Sequence, residues 1–164
     1  MVELLAALAL APWAQPVRFR PLPAWENGAS GTFESSYGPV PGVTAPEEST
    51  AWIVRGVRYR DRPTADPPDS TLSQLPPEGI VVFATVYESA GHRGRPIDLR
   101  LARARRYPCC DGTHVAGGEY ALAGAGPAAA YSVIVRVYFG SPPTPLMRTR
   151  AQHALDQLEL PAPR

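Results

Sequence analysis

The run from Tyr131 to Phe139, Tyr-Ser-Val-Ile-Val-Arg-Val-Tyr-Phe, constrains the fold more than any other stretch. Its β-branched and aromatic residues suit a pleated, half-buried surface better than a helix. Alternation puts Tyr131, Val133, Val135, Val137 and Phe139 on one face, and Ser132, Ile134, Arg136 and Tyr138 on the other. The first face demands cover. The second carries Arg136 and Ser132 and is expected to be partly wet, as antiparallel sheets allow. Cover follows at once: Gly140, Pro142 and Pro143 end the strand, Thr144 can cap a helix, and Pro145 suits its first position. Met147, Ala151, Ala154, Leu155 and Leu158 then form an apolar stripe opposite Arg148, Gln152 and Asp156, and Pro161 and Pro163 forbid continuation.

Gly79 to Glu88 is apolar on both faces until its end, the mark of a central strand covered on both sides. It and Tyr131–Phe139 are expected to lie near each other in the middle of the fold. Further strands are expected over Val17–Arg20, Ala51–Arg60, Ile97–Tyr107 and Glu119–Ala123, with a short pairing around Thr32 to Tyr37. Gly56 falls mid-run and suggests a bulge. The 20 prolines and 14 glycines among 164 residues belong in long irregular connections, notably Pro21–Thr50 and Asp61–Glu78. The fold class that follows is mainly β: an antiparallel sandwich or open barrel of about five to seven strands with one C-terminal helix. The alternative is an α+β layer, a single sheet covered by that helix. Residues 17–160 are read as one domain, with an apolar segment over 1–16 and a tail over 161–164.

The segment 1–16 admits three readings: an export signal or anchor, a helix packed on the domain, or a tail. The apolar run Leu4–Ala11 fits export, while Met-Val-Glu supplies no leading positive charge, and the run is too short to span a bilayer. It tilts the expectation toward an extracytoplasmic or membrane-anchored location, with membrane association through this segment alone.

All 16 basic residues are arginine, and the net charge is +1. With abundant Ala, Gly and Pro, this reads as the coding bias of a GC-rich genome, so the cluster Arg93, Arg95, Arg100, Arg103, Arg105 and Arg106 carries less weight. Tyr107 is the single local aromatic for stacking, which argues against nucleic acid as a partner. A solvated sheet edge, protected by charge from aggregation, explains the cluster better.

Two groups of residues stand out as candidate sites. Trp25, Phe33 and Tyr37 lie in the long Pro- and Gly-rich stretch, where they could be displayed to a protein partner or a glycan. Large aromatics more often anchor a loop to a core, and that is the preferred account. Cys109, Cys110 and His114 carry thiolate and imidazole, the ligands of zinc or copper. Adjacent cysteines point apart, so one buried and one exposed thiol, or a vicinal disulfide, fits the spacing better. Catalytic signatures such as Gly-x-Ser-x-Gly, His-Glu-x-x-His and the phosphate-binding glycine loop are absent from the sequence. Carboxylates such as Glu88 and Glu119 make no recognisable pair. The expectation is therefore a non-catalytic binding or structural module without a cofactor, engaging another protein, at the cell envelope if exported. The alternative is a small metal- or thiol-dependent protein centred on Cys109, Cys110 and His114.

Overall fold

A computed structural model of the chain describes residues 16–34, 47–59, 66–88, 97–107, 115–125 and 131–161. The fold is mainly β, with eight strands in two antiparallel sheets among these residues and a helix near the C-terminus. The sheets do not close into a barrel. The strands are β1 (Arg18–Phe19), β2 (Glu26–Glu34), β3 (Glu47–Arg55), β4 (Ile80–Glu88), β5 (Arg105–Tyr107), β6 (Glu119–Ala125), β7 (Tyr131–Phe139) and β8 (Leu158–Glu159). Helix α1 (Asp69–Ser73) precedes β4, and α2 (Pro145–Leu155) follows β7.

The larger sheet runs β2-β3-β4-β7-β6-β5. It is two three-stranded antiparallel units joined along one seam, in which β4 and β7 pair from Ile80↔Phe139 to Glu88↔Tyr131. Gly79–Glu88 and Tyr131–Phe139 are thus neighbours at the centre, as expected. On the first face of this seam Ile80, Val82, Ala84, Val86, Val133, Val135, Val137 and Phe139 are fully buried. They pack with Met147, Ala151, Ala154 and Leu155 of α2 and with Val17, Phe19 and Leu158. Burial of each large side chain contributes about 1.5–3 kcal/mol.

Thr144 caps α2 as its position suggests, its hydroxyl accepting from the Met147 amide at 3.3 Å. Leu158 is not part of the helix; it enters β8, which pairs with β1 through Arg18↔Glu159 and Phe19↔Leu158. Arg18 and Arg20 both donate to the Glu159 carboxylate across that pair. Gln152 of α2 accepts from the Leu101 amide at 2.7 Å and donates to the Leu99 carbonyl at 3.2 Å, holding the 97–103 segment against the helix.

Three elements differ from expectation. The stretch 21–50 is not one long loop: β2 occupies Glu26–Glu34 and pairs with a β3 that starts at Glu47, not Ala51. The strand expected over Ile97–Tyr107 is confined to Arg105–Tyr107, preceded by a 3-10 turn at Leu101–Arg103. Gly56 is no mid-strand bulge. It follows the end of β3 with φ +92°, a left-handed conformation that turns the chain out of the sheet. The irregularity in β3's pairing lies instead on its partner, between Asn27 and Ala29. There Gly28 lies under the buried Trp52, whose ring carbons stand 2.1 Å from where a Cβ would be. No helix among the described residues is long and apolar enough to cross a membrane.

Gly28→Ala therefore forces Trp52 out of place. The expected cost is about 1–3 kcal/mol, read as a lowered denaturation midpoint with a shift in tryptophan emission.

Candidate functional site

Among the described residues, the second face of the larger sheet is covered unevenly. A smaller apolar cluster of Trp52, Val54, Leu72, Val81, Phe83 and Tyr138 lies under the connection between β3 and β4. Trp52 and Tyr59 meet edge to face at 4.7 Å, and Leu72 and Leu75 press the α1 region onto the strands. Beyond that cover the face turns polar. Antiparallel register sets Phe83 beside Arg136, Thr85 beside both Thr50 and Ile134, and Tyr87 beside Glu48.

These residues and the start of α1 enclose a recess of about 230 Å³ lined by Glu48, Asp66, Asp69, Phe83, Tyr87 and Arg136, among others. The sheet supplies its floor; Asp66, Pro67 and Asp69 supply one wall. Pro67 is buried, which fixes where that wall stands.

The electrostatics at its edge centre on Arg136. Its guanidinium lies 3.4 Å from Glu119 Oε1, across the β6–β7 pair. Glu119 is only 6% exposed, and that oxygen accepts no hydrogen bond, so the contact is an ion pair without hydrogen-bond alignment. Burial raises the Glu119 carboxyl above its ordinary range, an effect the Arg136 charge only partly offsets. Burial, helped by the negative charge of Glu119, pushes the Tyr138 phenol up to about 12, so it stays protonated. Arg136 donates a hydrogen bond to it, a smaller opposing effect. Thr50 Oγ1 is likewise shielded from solvent without a hydrogen-bond partner.

Of the aromatic candidates, Trp25 is half-buried and packs against the core of the first face. Its amide closes a turn onto the Leu22 carbonyl at 3.2 Å. Phe33 lies in β2 opposite Glu48, and Tyr37 lies outside the described residues. Cys109, Cys110 and His114, the metal or thiol candidates, also lie outside them. Among the described residues no three His, Cys, Asp or Glu side chains converge to hold a metal ion. The recess residues escaped the sequence reading because topology alone assembles them. The available signal was Arg136, a charge within an otherwise apolar strand.

Comparison with protein-family models, with curated proteins and with solved structures finds no match to this chain.

Two substitutions test the energetics. Thr50→Val replaces an unpartnered buried hydroxyl with an isosteric methyl and is expected to stabilise the fold by about 1 kcal/mol. For Glu119 the folded carboxyl binds its proton more readily than the unfolded one. Its contribution is thus full below the ordinary carboxylate range and is lost as pH rises through the raised value. Glu159 works the other way: Arg20 and Arg18 lower it, and its contribution is lost as pH falls. In thermal melts Glu119→Gln should gain on the parent protein as pH rises toward neutrality; a constant difference across pH would contradict this.

Proposed function

We propose that this chain is a non-catalytic binding module that engages another protein through the second face of its larger sheet. The observation that carries the reading is the uneven cover of that face. A scaffold with no partner gains nothing from Glu119 at 6% exposure with an Oε1 that accepts no hydrogen bond, since a buried carboxylate costs stability unless well paired. Apolar residues would serve folding better there. Aromatic residues and arginine, here Phe83, Tyr87 and Arg136 of the recess, are enriched at protein contact centres. Among the described residues the lining offers no flat, continuous aromatic platform for a sugar ring. Trp25 serves the core in this reading, and the contact surface moves from the 25–37 region to the sheet.

Affinity capture from the native cell with the parent protein and two half-buried-face variants, Tyr87→Ala and Ile134→Ser, tests the assignment. Leu146→Ser serves as control, because Leu146 is 57% exposed at the start of α2, remote from this face in the fold. Partners retained by the control and lost by both face variants, with melting temperatures within a few degrees, are the expected result. Partners kept by both face variants would refute it.

A further inference from the structure

We propose that a groove at the start of α2 binds a small organic acid, its carboxylate held by Arg55 and Arg150 and its apolar body lying against Leu146 and Met147. The groove shares no lining residue with the recess on the second face. It is a second site, beyond the protein contact assigned above.

The groove forms where three parts of the chain meet. β3 ends at Arg55 and Gly56, the connection into β4 brings Pro77 and Glu78, and the turn after β7 brings Ser141 and Thr144. Backbone contacts fix its base. The Gly140 amide donates to the Gly79 carbonyl at 2.9 Å, and the Ser141 hydroxyl donates to the Pro77 carbonyl at 2.6 Å. A Cβ on Gly140 would stand 1.9 Å from the Pro76 carbonyl oxygen, so these two connections lie backbone against backbone. Ala24 completes the lining in a left-handed conformation, φ +65°, that a residue with a Cβ adopts only when its surroundings impose it.

Charge selects the ligand's head. Arg55 and Arg150 come from different elements and are partly buried, yet among the described residues neither guanidinium makes an ion pair or a hydrogen bond. Glu78 shares the groove, is exposed, and pairs with neither. Two guanidiniums against one carboxylate leave the lining with a single positive charge in excess. A carboxylate neutralises that excess and offers two oxygens to the planar donor forks of the arginines. A phosphate dianion would overshoot it and meet Glu78 as well. The first turn of α2 adds little to this, because Pro145 has no amide hydrogen and the Met147 amide is taken by Thr144.

The rest of the lining selects the body. Leu146 and Arg150 stand four residues apart on α2 and so share one side of the helix. Leu146 is 57% exposed, while Met147 beside it is buried. A lone exposed leucine is ordinary. Here it joins Ala24, Pro77 and Met147 in a lining that also holds two unpaired guanidiniums. The volume of about 730 Å³ falls within the roughly 300–1,000 Å³ of small-molecule sites, which combine apolar surface with a few placed polar groups.

The test is a titration of the isotope-labelled full chain with 4-phenylbutyrate, followed by backbone amide NMR. 4-Phenylbutanol keeps the body without the charge, acetate keeps the charge without the body, and phenyl phosphate offers a dianion. The expected result is saturable shifts in residues 55–57, 78–79 and 146–150, with 4-phenylbutyrate bound about tenfold more tightly than any of the other three. Arg55→Gln and Arg150→Gln should each weaken it by about tenfold with unchanged melting, since neither side chain has a partner to lose among the described residues. Should a variant melt early, the comparison of probes on the parent protein still decides the matter. Equal binding of any of the other three probes, shifts confined to other surfaces, or an affinity unchanged in both arginine variants would overturn the proposal.

Discussion

The seam between β4 and β7 is the constraint on which the rest of the structure depends. β4 is apolar on both faces for most of its length and β7 along the whole of its first face, so the pair needs cover above and, over part of its length, below as well as neighbours alongside. The first face is satisfied by α2 and the β1–β8 ribbon. The second is satisfied over one end, where the β3–β4 connection lays Leu72 and Leu75 on Trp52 and Phe83. Where that cover stops, the strands change character to Thr85, Tyr87, Ile134 and Arg136. The recess is the boundary between a face that must be dry and one that can be wet.

Buried charge at that boundary has a stability cost that packing elsewhere must offset. Glu119 sits in an environment that disfavours its ionised form, with Arg136 as partial compensation. The surface ion pairs carry far less weight. Asp98, held down to about 2 chiefly by its hydrogen bonds with Arg100, is partly exposed to solvent, and its pairing orders a turn more than it stabilises a fold. The second face therefore carries a stability cost that the apolar first face does not.

Legibility in the sequence followed the range of the interactions. Tyr131–Phe139 and the helix from Pro145 could be read because period-two alternation, the Thr144 cap and the flanking prolines are local signals. β2 could not: Glu-Asn-Gly-Ala-Ser-Gly-Thr-Phe-Glu has little strand propensity, and it is extended because β3 offers it an edge and Trp52 needs the space over Gly28. Ile97, Leu99 and Leu101 alternate like a strand, yet Gln152 of α2 holds their backbone and they pad the first-face core. The recess draws on residues from 48 to 138, and no spacing rule links Glu48 to Asp66 or Arg136. Only the strand order brings them to one place.

The β1–β8 ribbon joins the first and last strands described, so Val17, buried in the first-face core, and Leu160, packed against it, flank the ribbon at the same end. Arg18 faces Glu159 and Phe19 faces Leu158, which puts the outgoing ends at the same end of an antiparallel pair. Tension applied through both ends would open this ribbon one residue pair at a time instead of shearing it all at once. The Arg18 and Arg20 clamp on Glu159 would be the first contact to feel the load. Tyr131, whose hydroxyl donates to the Pro161 carbonyl at 2.8 Å, would pass what remained to the edge of the central seam. Held by two residue pairs, the ribbon would yield before the nine-pair central seam.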